Sequence, residues 1–272
     1  MIFDGKGFAK EIEERVKTRV GGMKVKPKIV SILVGNDPAD STSSLQASEL
    51  YTRLKKSAAE HCGMDFEIIR QKGEVTSDKL REEIAEIGAR KDVSGVMVQL
   101  PLPEVLRGRT PRVLEAIPLS KDVDGLRWEE SKVMPATVRA VLAILDKISL
   151  EFRIWNLESS FVVVGARGVV GRPLVYYLRE RGVHVSEVGR GDEAARTVLA
   201  GDVVISCVGE AGIVTEEMVK KGAIVVDVGA PRGDMSSEVY QKASVAVAVP
   251  GGVGPVTIAC LMNNAAELTL RV

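Results

Sequence analysis

Two rhythms of apolar and polar positions divide the chain. Short runs with little or no polar face fall at residues 28–34 (KIVSILV), 95–100 (GVMVQL), 161–164 (FVVV), 183–188, 202–208, 223–228 and 244–249. Such runs suit strands buried on both sides in a parallel sheet. Residues 65–70 fit one more strand. Elsewhere the apolar positions step by three or four. Phe8, Ile12, Val16 and Val20 mark a helical face over 7–20, and Leu80, Ile84 and Ile87 mark another, with Ser77 as its expected cap. A long helix is expected to run to about Cys62, where Gly63 is placed to end it. Further helices are expected over 111–117, 134–145, 193–200, 215–220 and 256–270. Strands alternating with helices predict parallel pairing and right-handed crossovers. The expected fold class is therefore α/β, in two lobes joined near the helix over 134–145.

The second lobe is organised around residues 161–178, FVVVGARGVVGRPLVYYL. An apolar strand leads into Gly165, Gly168 and Gly171, and Pro173 sits early in the helix that follows, where its missing N–H is not needed. Strand, glycine turn and helix start can aim backbone N–H groups at a phosphate. Two readings stand side by side: a dinucleotide pyrophosphate site, or a plain connection whose glycines only permit close packing. The spacing is Gly-x-x-Gly-x-x-Gly, and Arg167 occupies the place of the second glycine in the common Gly-x-Gly-x-x-Gly fingerprint.

Composition narrows the classes. At 272 residues the chain can build two cores. Its 37 basic and 37 acidic residues balance, so no overall field favours nucleic acid or an anionic membrane. Apolar stretches are strand-length, too short to span a bilayer, and no secretory leader is read at the start. Cys62, Cys207 and Cys260 are scattered and odd in number, which points to a reducing, cytoplasmic setting rather than a disulfide framework. With His61 and His184 in different segments, no metal site is expected. Acid–base chemistry then falls to Lys, Asp, Glu, Tyr or water.

Candidate chemistry sits at the carboxyl ends of strands, where ligands gather in such sheets. Gln99 closes an apolar strand, either to cap a loop or to meet a ligand. Tyr51 and Lys55 are four apart on the long helix and share a face. A lysine in a partly desolvated cleft has a lowered pKa and can exchange protons near neutrality. Alternatively Arg53, Lys55 and Lys56 form an ordinary solvated face. The paired carboxylates of Lys121-Asp122-Val123-Asp124-Gly125 read equally as a solvated turn.

The motifs Val34-Gly-Asn-Asp-Pro-Ala39, Ser48-x-x-Tyr51-x-x-x-Lys55, Val98-Gln-Leu-Pro-Leu-Pro103, Lys121-Asp-Val-Asp-Gly125, Val169-Val-Gly-Arg-Pro173, Val226-Asp-Val-Gly229 and Val249-Pro-Gly-Gly-Val-Gly-Pro255 occur in this order. In order and type the chain resembles the bifunctional methylenetetrahydrofolate dehydrogenase/methenyltetrahydrofolate cyclohydrolase family. The resemblance implies a folate-binding catalytic domain over residues 1–135 plus 256–272, a Rossmann-like NAD(P)-binding domain over 136–255, and a cleft between them. It implies oxidation of 5,10-methylenetetrahydrofolate to the methenyl form and hydrolysis to 10-formyltetrahydrofolate, a step that serves purine synthesis. Lys55 resembles the catalytic lysine, Gln99 its orienting partner, Tyr51 the residue on the aminobenzoyl ring and Asp124 the carboxylate that holds the pterin. Val98, Leu100, Gly252 and Pro255 match the remaining substrate contacts. Gly165, Ala166, Arg167, Val170, Gly171, Arg190, Val208, Gly209, Gly229 and Ala230 match the cofactor contacts. A homodimer and no metal, nucleic acid or membrane partner are likewise implied.

Several positions depart from the family pattern. Residues 40–47 read as an insertion, and the segment after Gly125 is shortened. Thr137-Val138 replaces a threonine–proline pair, Arg167 a serine, and Gly189-Arg190 a histidine–serine pair. Arg167 and Arg190 favour the 2′-phosphate of NADP, whereas Glu187 suits the ribose diol of NAD. NADP is the expected cofactor, with NAD the alternative. A shikimate-type two-lobed dehydrogenase and a non-catalytic folate- or nucleotide-binding relative are the competing functions.

Overall fold

The computed structural model describes residues 1–35, 43–156, 158–189 and 193–271. The Asn36-Asp-Pro-Ala39 motif, Ser41 of the expected insertion and Arg190 lie outside them. The chain divides into two compact units, Lys10–Ala136 with Ile258–Val272, and Met1–Ala9 with Thr137–Thr257.

Lys10–Ala136 holds a parallel sheet of β1 (Lys28–Val34), β2 (Asp65–Gln71) and β3 (Gly95–Val98), in the order β2-β1-β3. Central β1 is covered on both faces, which is why its sequence shows no alternation. Helix α1 (Gly5–Gly21) leads in, and α2 (Ser43–His61) and α3 (Ser77–Ala89) cross between strands. Leu80 and Ile84 of α3 pack on Val30, Ile32, Val96 and Val98. Gly63 ends α2 as expected: at φ +78° it lets its own N–H and that of Met64 bond back to Glu60 and Ala59 carbonyls. The cap of α3 is Thr76, whose hydroxyl accepts the Lys79 N–H at 3.3 Å; Ser77, the expected cap, is buried one residue inside. Short helices follow, α4 (Glu104–Arg107), α5 (Thr110–Leu114) and α6 (Trp128–Ser131). Pro118 accounts for α5 stopping early, because a residue before proline is steered out of helical geometry.

Helix α7 (Ala136–Phe152) begins just after Pro135. Beyond it lies a five-stranded parallel sheet of β4 (Ser160–Val164), β5 (His184–Val188), β6 (Val203–Ser206), β7 (Ile224–Asp227) and β8 (Val245–Val247). Helices α8 (Gly171–Glu180), α9 (Glu193–Ala200) and α10 (Ser237–Lys242) connect the strands, and α11 (Val253–Thr269) closes the chain. The strand order is β5-β4-β6-β7-β8. The winding direction reverses between β4 and β6, and a crevice opens at their carboxyl ends at such a point. The helix expected over 215–220 is a single turn, Glu216–Met218: Val214 and Val219 on either side of it are both buried, and the chain must return to β7 within five residues of Val219. Phe3 donates its N–H to Ala246 at 2.9 Å, which ties the start of the chain to β8.

Candidate active site and cofactor cleft

Helix α2 buries a stripe of Ser48, Thr52, Lys55 and Ala59 at spacings of four and three, which Cys62 continues just past its end. Lys55 lies within that stripe at 8 % exposure, while its neighbours Arg53 and Lys56 face solvent. The reading of this segment as a uniform solvated face is thereby replaced. Lys55 Nζ donates to Gln99 Oε1 at 2.8 Å, and Gln99 Nε2 donates to the Leu100 carbonyl at 2.8 Å. The two contacts fix the amide orientation, since a flipped Gln99 would set oxygen against a carbonyl and nitrogen against an amine. Gln99 itself continues the sheet, its N–H bonding to Ile32 O at 2.9 Å. The pair therefore stands at the carboxyl end of β3, beside β1. Burial pushes the Lys55 amine below the ordinary lysine range, and the negative charge of Asp124 opposes that shift. Tyr51, one turn before Lys55, is half-buried.

The paired carboxylates have separate tasks. Asp122 is buried and accepts the N–H groups of Leu126 (3.2 Å) and Arg127 (2.9 Å) and the Ser131 hydroxyl (2.9 Å). Burial raises its pKa, with the Asp124 charge adding to the rise, and these donors offset only part of it. Asp122 thus holds the loop that follows it. Asp124 is half-buried, and its carboxylate has no hydrogen bond among the described residues. Gly125 has φ +70°, and a Cβ there would meet Pro135 Cα at 2.7 Å, so only glycine fits. Asn264, fully buried on α11, donates through Nδ2 to Val123 O and Met134 O, both at 3.0 Å. It clamps both ends of the segment that carries Asp124. Sequence reasoning passed over Asn264; the available signal was a polar residue within an apolar helical stripe, which needs a partner.

In the second sheet, a cleft of about 760 Å³ opens at the carboxyl ends of β4, β5 and β6. Gly165, Arg167, Gly168 and Val208 line it, together with Gly189 and Cys207. Gly165 has φ +83°, and a Cβ there would lie 2.8 Å from Cys207 O. A Cβ on Gly171 would lie 2.1 Å from Gly165 O, so helix α8 can start against the turn only at a glycine. Ala166 is buried behind the turn and Val170 is half-buried before α8. Gly209 and Ala230 are exposed, and Gly229 is buried against Asp234. Apolar lining from Ala194, Ala195 and Ile213 was not singled out from sequence. Burial pushes the Cys207 thiol up to about 12, so it is not a reactive thiolate.

Val98 packs its side chain into the β-sheet core, and Leu100 is half-buried beside Gln99. Gly252 precedes α11, where a Cβ would meet Ala248 O at 2.6 Å, and Pro255 lies in the first turn of that helix.

The sequence profile of the tetrahydrofolate dehydrogenase/cyclohydrolase catalytic domain matches residues 3–124, and that of the family's NAD(P)-binding domain matches residues 135–271. The chain belongs to the tetrahydrofolate dehydrogenase/cyclohydrolase family. The bifunctional protein FolD of Staphylococcus epidermidis is 36% identical over 284 residues, covering 97% of this chain and 94% of the relative. The bifunctional FolD dehydrogenase/cyclohydrolase structure from Campylobacter jejuni superposes with TM-score 0.87 at 30% identity, covering 100% of this chain and 99% of that one. The Trypanosoma brucei enzyme, complexed with NADP and an inhibitor, gives TM-score 0.87 at 28% identity, covering 100% and 97%. Both profiles fall on the family order of domains, which sets aside a shikimate-type dehydrogenase.

Proposed function

We infer that this protein oxidises 5,10-methylenetetrahydrofolate to 5,10-methenyltetrahydrofolate and hydrolyses the product to 10-formyltetrahydrofolate. The observation that carries the reading is a buried lysine held by Gln99 beside the free carboxylate of Asp124, at the carboxyl end of β3. In the hydrolytic step, water adds to the methenyl carbon and Lys55 takes a proton at Nζ. The same ammonium then returns a proton to the departing ring nitrogen as the C–N bond breaks, and the hydroxyl proton of the adduct passes to water as the formyl C=O forms. Gln99 Oε1 keeps Nζ in place for both transfers. Asp124, with unfilled acceptor positions, takes the amino and ring N–H donors of the pterin as a parallel pair. Tyr51 stacks on the aminobenzoyl ring, and Leu100 and the backbone of Val98 shape the folate site beside it.

The cleft of about 760 Å³ has room for a dinucleotide beside the tight turn that Gly165 and Gly171 permit. NADP, when bound, accepts hydride from the methylene carbon. The protein's part is to hold and align it, through the turn at Gly165, Ala166, Arg167, Val170 and Gly171 and through Arg190, Val208, Gly209, Gly229 and Ala230. Glu187 is paired with Arg179 at 2.8 Å, which engages one oxygen of the acidic side chain a ribose diol would use and supports NADP over NAD. Arg167 is exposed at the cleft and supplies positive charge for the phosphates. Among the described residues no helix is long and apolar enough to cross a membrane. We place the protein in the cytoplasm as a homodimer supplying formyl groups for purine assembly. Following reduced nucleotide and the methenyl absorbance together, with NADP or NAD as acceptor, tests the reading. Folate-dependent NADPH formation followed by decay of the methenyl signal is expected; no folate-dependent reduction with either nucleotide would overturn it.

A further inference from the structure

Two buried carboxylates, neither in an ion pair among the described residues, lie behind the wall of the cofactor cleft. Asp227, at the end of β7, accepts the N–H groups of Gly229 (2.8 Å), Asp234 (2.9 Å) and Met235 (2.8 Å), and the Tyr240 hydroxyl (2.7 Å). Asp234, set in place by that bond, is 1 % exposed. Its two oxygens accept the N–H groups of Val208 (2.7 Å), Gly209 (2.9 Å) and Glu210 (3.0 Å) and the Ser206 hydroxyl (2.8 Å). Close contact enforces the arrangement: a Cβ on Gly229 would lie 2.3 Å from Asp234 Oδ1.

The three N–H groups belong to the loop after β6, at the point where the sheet reverses its winding. Successive N–H groups on such a loop ordinarily form a concave anion site. Here a side chain of the protein fills that concavity from behind. The turn after β4 differs. The N–H groups of Ala166, Arg167, Val169 and Val170 have no acceptor among the described residues. Arg167 adds a cation on the same side. One wall of the cleft thus has free donors, and the other has had its donors used.

We propose that Asp234 is a positioning residue for the dinucleotide: it occupies the donors of the 208–210 loop, confines the phosphates to the 165–171 turn, away from the Glu210 carboxylate that also lines the cleft, and leaves the apolar side chains of Val208 and Ile213 for a nucleotide ring. The inference rests on the dehydrogenase reading above and names a residue that acts through the loop rather than by touching the cofactor.

Asp234→Asn replaces one acceptor oxygen by a donor that faces the loop N–H groups, so the loop must shift. Calorimetric titration of the folate-free protein with NADP reads the effect directly. The dissociation constant is expected to rise about tenfold, the scale of one lost charge-assisted hydrogen bond. Hydrolysis of methenyltetrahydrofolate without nucleotide, in the same preparation, is expected to stay at the wild-type rate. Unchanged NADP affinity in a variant that still hydrolyses would overturn the proposal. If Asp234→Asn loses hydrolysis as well, Ser206→Ala decides, because it removes one donor and leaves the carboxylate. A raised NADP dissociation constant with hydrolysis intact supports the proposal, and an unchanged one overturns it. Wild-type protein that neither binds nor reduces NADP would instead overturn the dehydrogenase function, and that failure is visible before any variant is made.

Discussion

Lys55 Nζ and Gln99 Oε1 are 2.8 Å apart, joining the middle of α2 to the end of β3. The bond is open to lysine in either protonation state, since an ammonium and an amine both donate. Gln99 therefore steadies the nitrogen through a full cycle of proton transfer. Gln99→Ala is expected to lower the rate of methenyl hydrolysis about ten- to a hundredfold, the scale of a lost orienting contact. The Michaelis constant for folate should move less. A variant with raised KM and unchanged kcat would place Gln99 in binding alone.

Asp124 acts on Lys55 through charge and, in the proposed site, on the pterin through hydrogen bonds. Asp124→Asn is expected to weaken folate binding about tenfold or more while NADP binding stays unchanged. It should also move the pH–rate profile. The carboxylate raises the Lys55 pKa against the lowering effect of burial. Removing that charge lowers the lysine further, so the free amine becomes available at lower pH. The limb of the hydrolysis profile that rises as Lys55 loses its proton should shift toward acid. A shift toward alkali would contradict the electrostatic link.

Asn264 makes a structural prediction with an order of effects. Asn264→Ala leaves the Val123 and Met134 carbonyls buried without their donor, at a cost on the order of 1–3 kcal/mol. Asn264→Asp sets a carboxylate against the same two carbonyls and is expected to cost more. Thermal denaturation of the two variants gives the order. Folate KM should rise in both, because the Asp124 segment is loosened. An aspartate variant as stable as wild type would show that the clamp is not needed.

The alternation of strands and helices, the parallel pairing and the glycine turn could all be read from the sequence, because each rests on local periodicity or on glycine geometry. Helix caps and short helices could not. Thr76 and Ser77 are adjacent and chemically equivalent as caps, and only the burial of Ser77 separates them. Residues 215–220 had helical composition, yet burial of Val214 and Val219 left room for one turn. At the candidate site, the shared face of Tyr51 and Lys55 followed from spacing. The burial of Lys55 beside exposed Arg53 and Lys56 did not, since it depends on which face of α2 meets the sheet. Asp122 and Asp124 look alike in sequence and differ only in which one the loop backbone turns toward. Asp234 and Asn264 were missed because their partners are main-chain groups far away in sequence.

Glu67 on β2 carries a prediction about acid stability. Hydrogen bonds from Arg90 and Lys28 lower its carboxyl to about 2 from an ordinary 4.5. A depressed carboxylate contributes its stability above the unfolded value and loses it as pH falls through the folded one. The advantage of wild type over Glu67→Gln should therefore be present at neutral pH and vanish between about 4.5 and about 2. The cluster is partly solvent-exposed, so the neutral-pH difference should be no more than about 1 kcal/mol. Urea denaturation across that pH range measures it, and a gap that widens with acid would contradict the assignment.

Lys55 is the group that moves protons in the proposed folate site. The most direct measurement is the rate at which Lys55→Ala hydrolyses 5,10-methenyltetrahydrofolate without nucleotide, with circular dichroism and NADP titration confirming a folded protein. A fall of about 10²–10⁴-fold, the range for loss of a general acid–base group, is predicted. Hydrolysis at the wild-type rate in a folded, NADP-binding variant would contradict it.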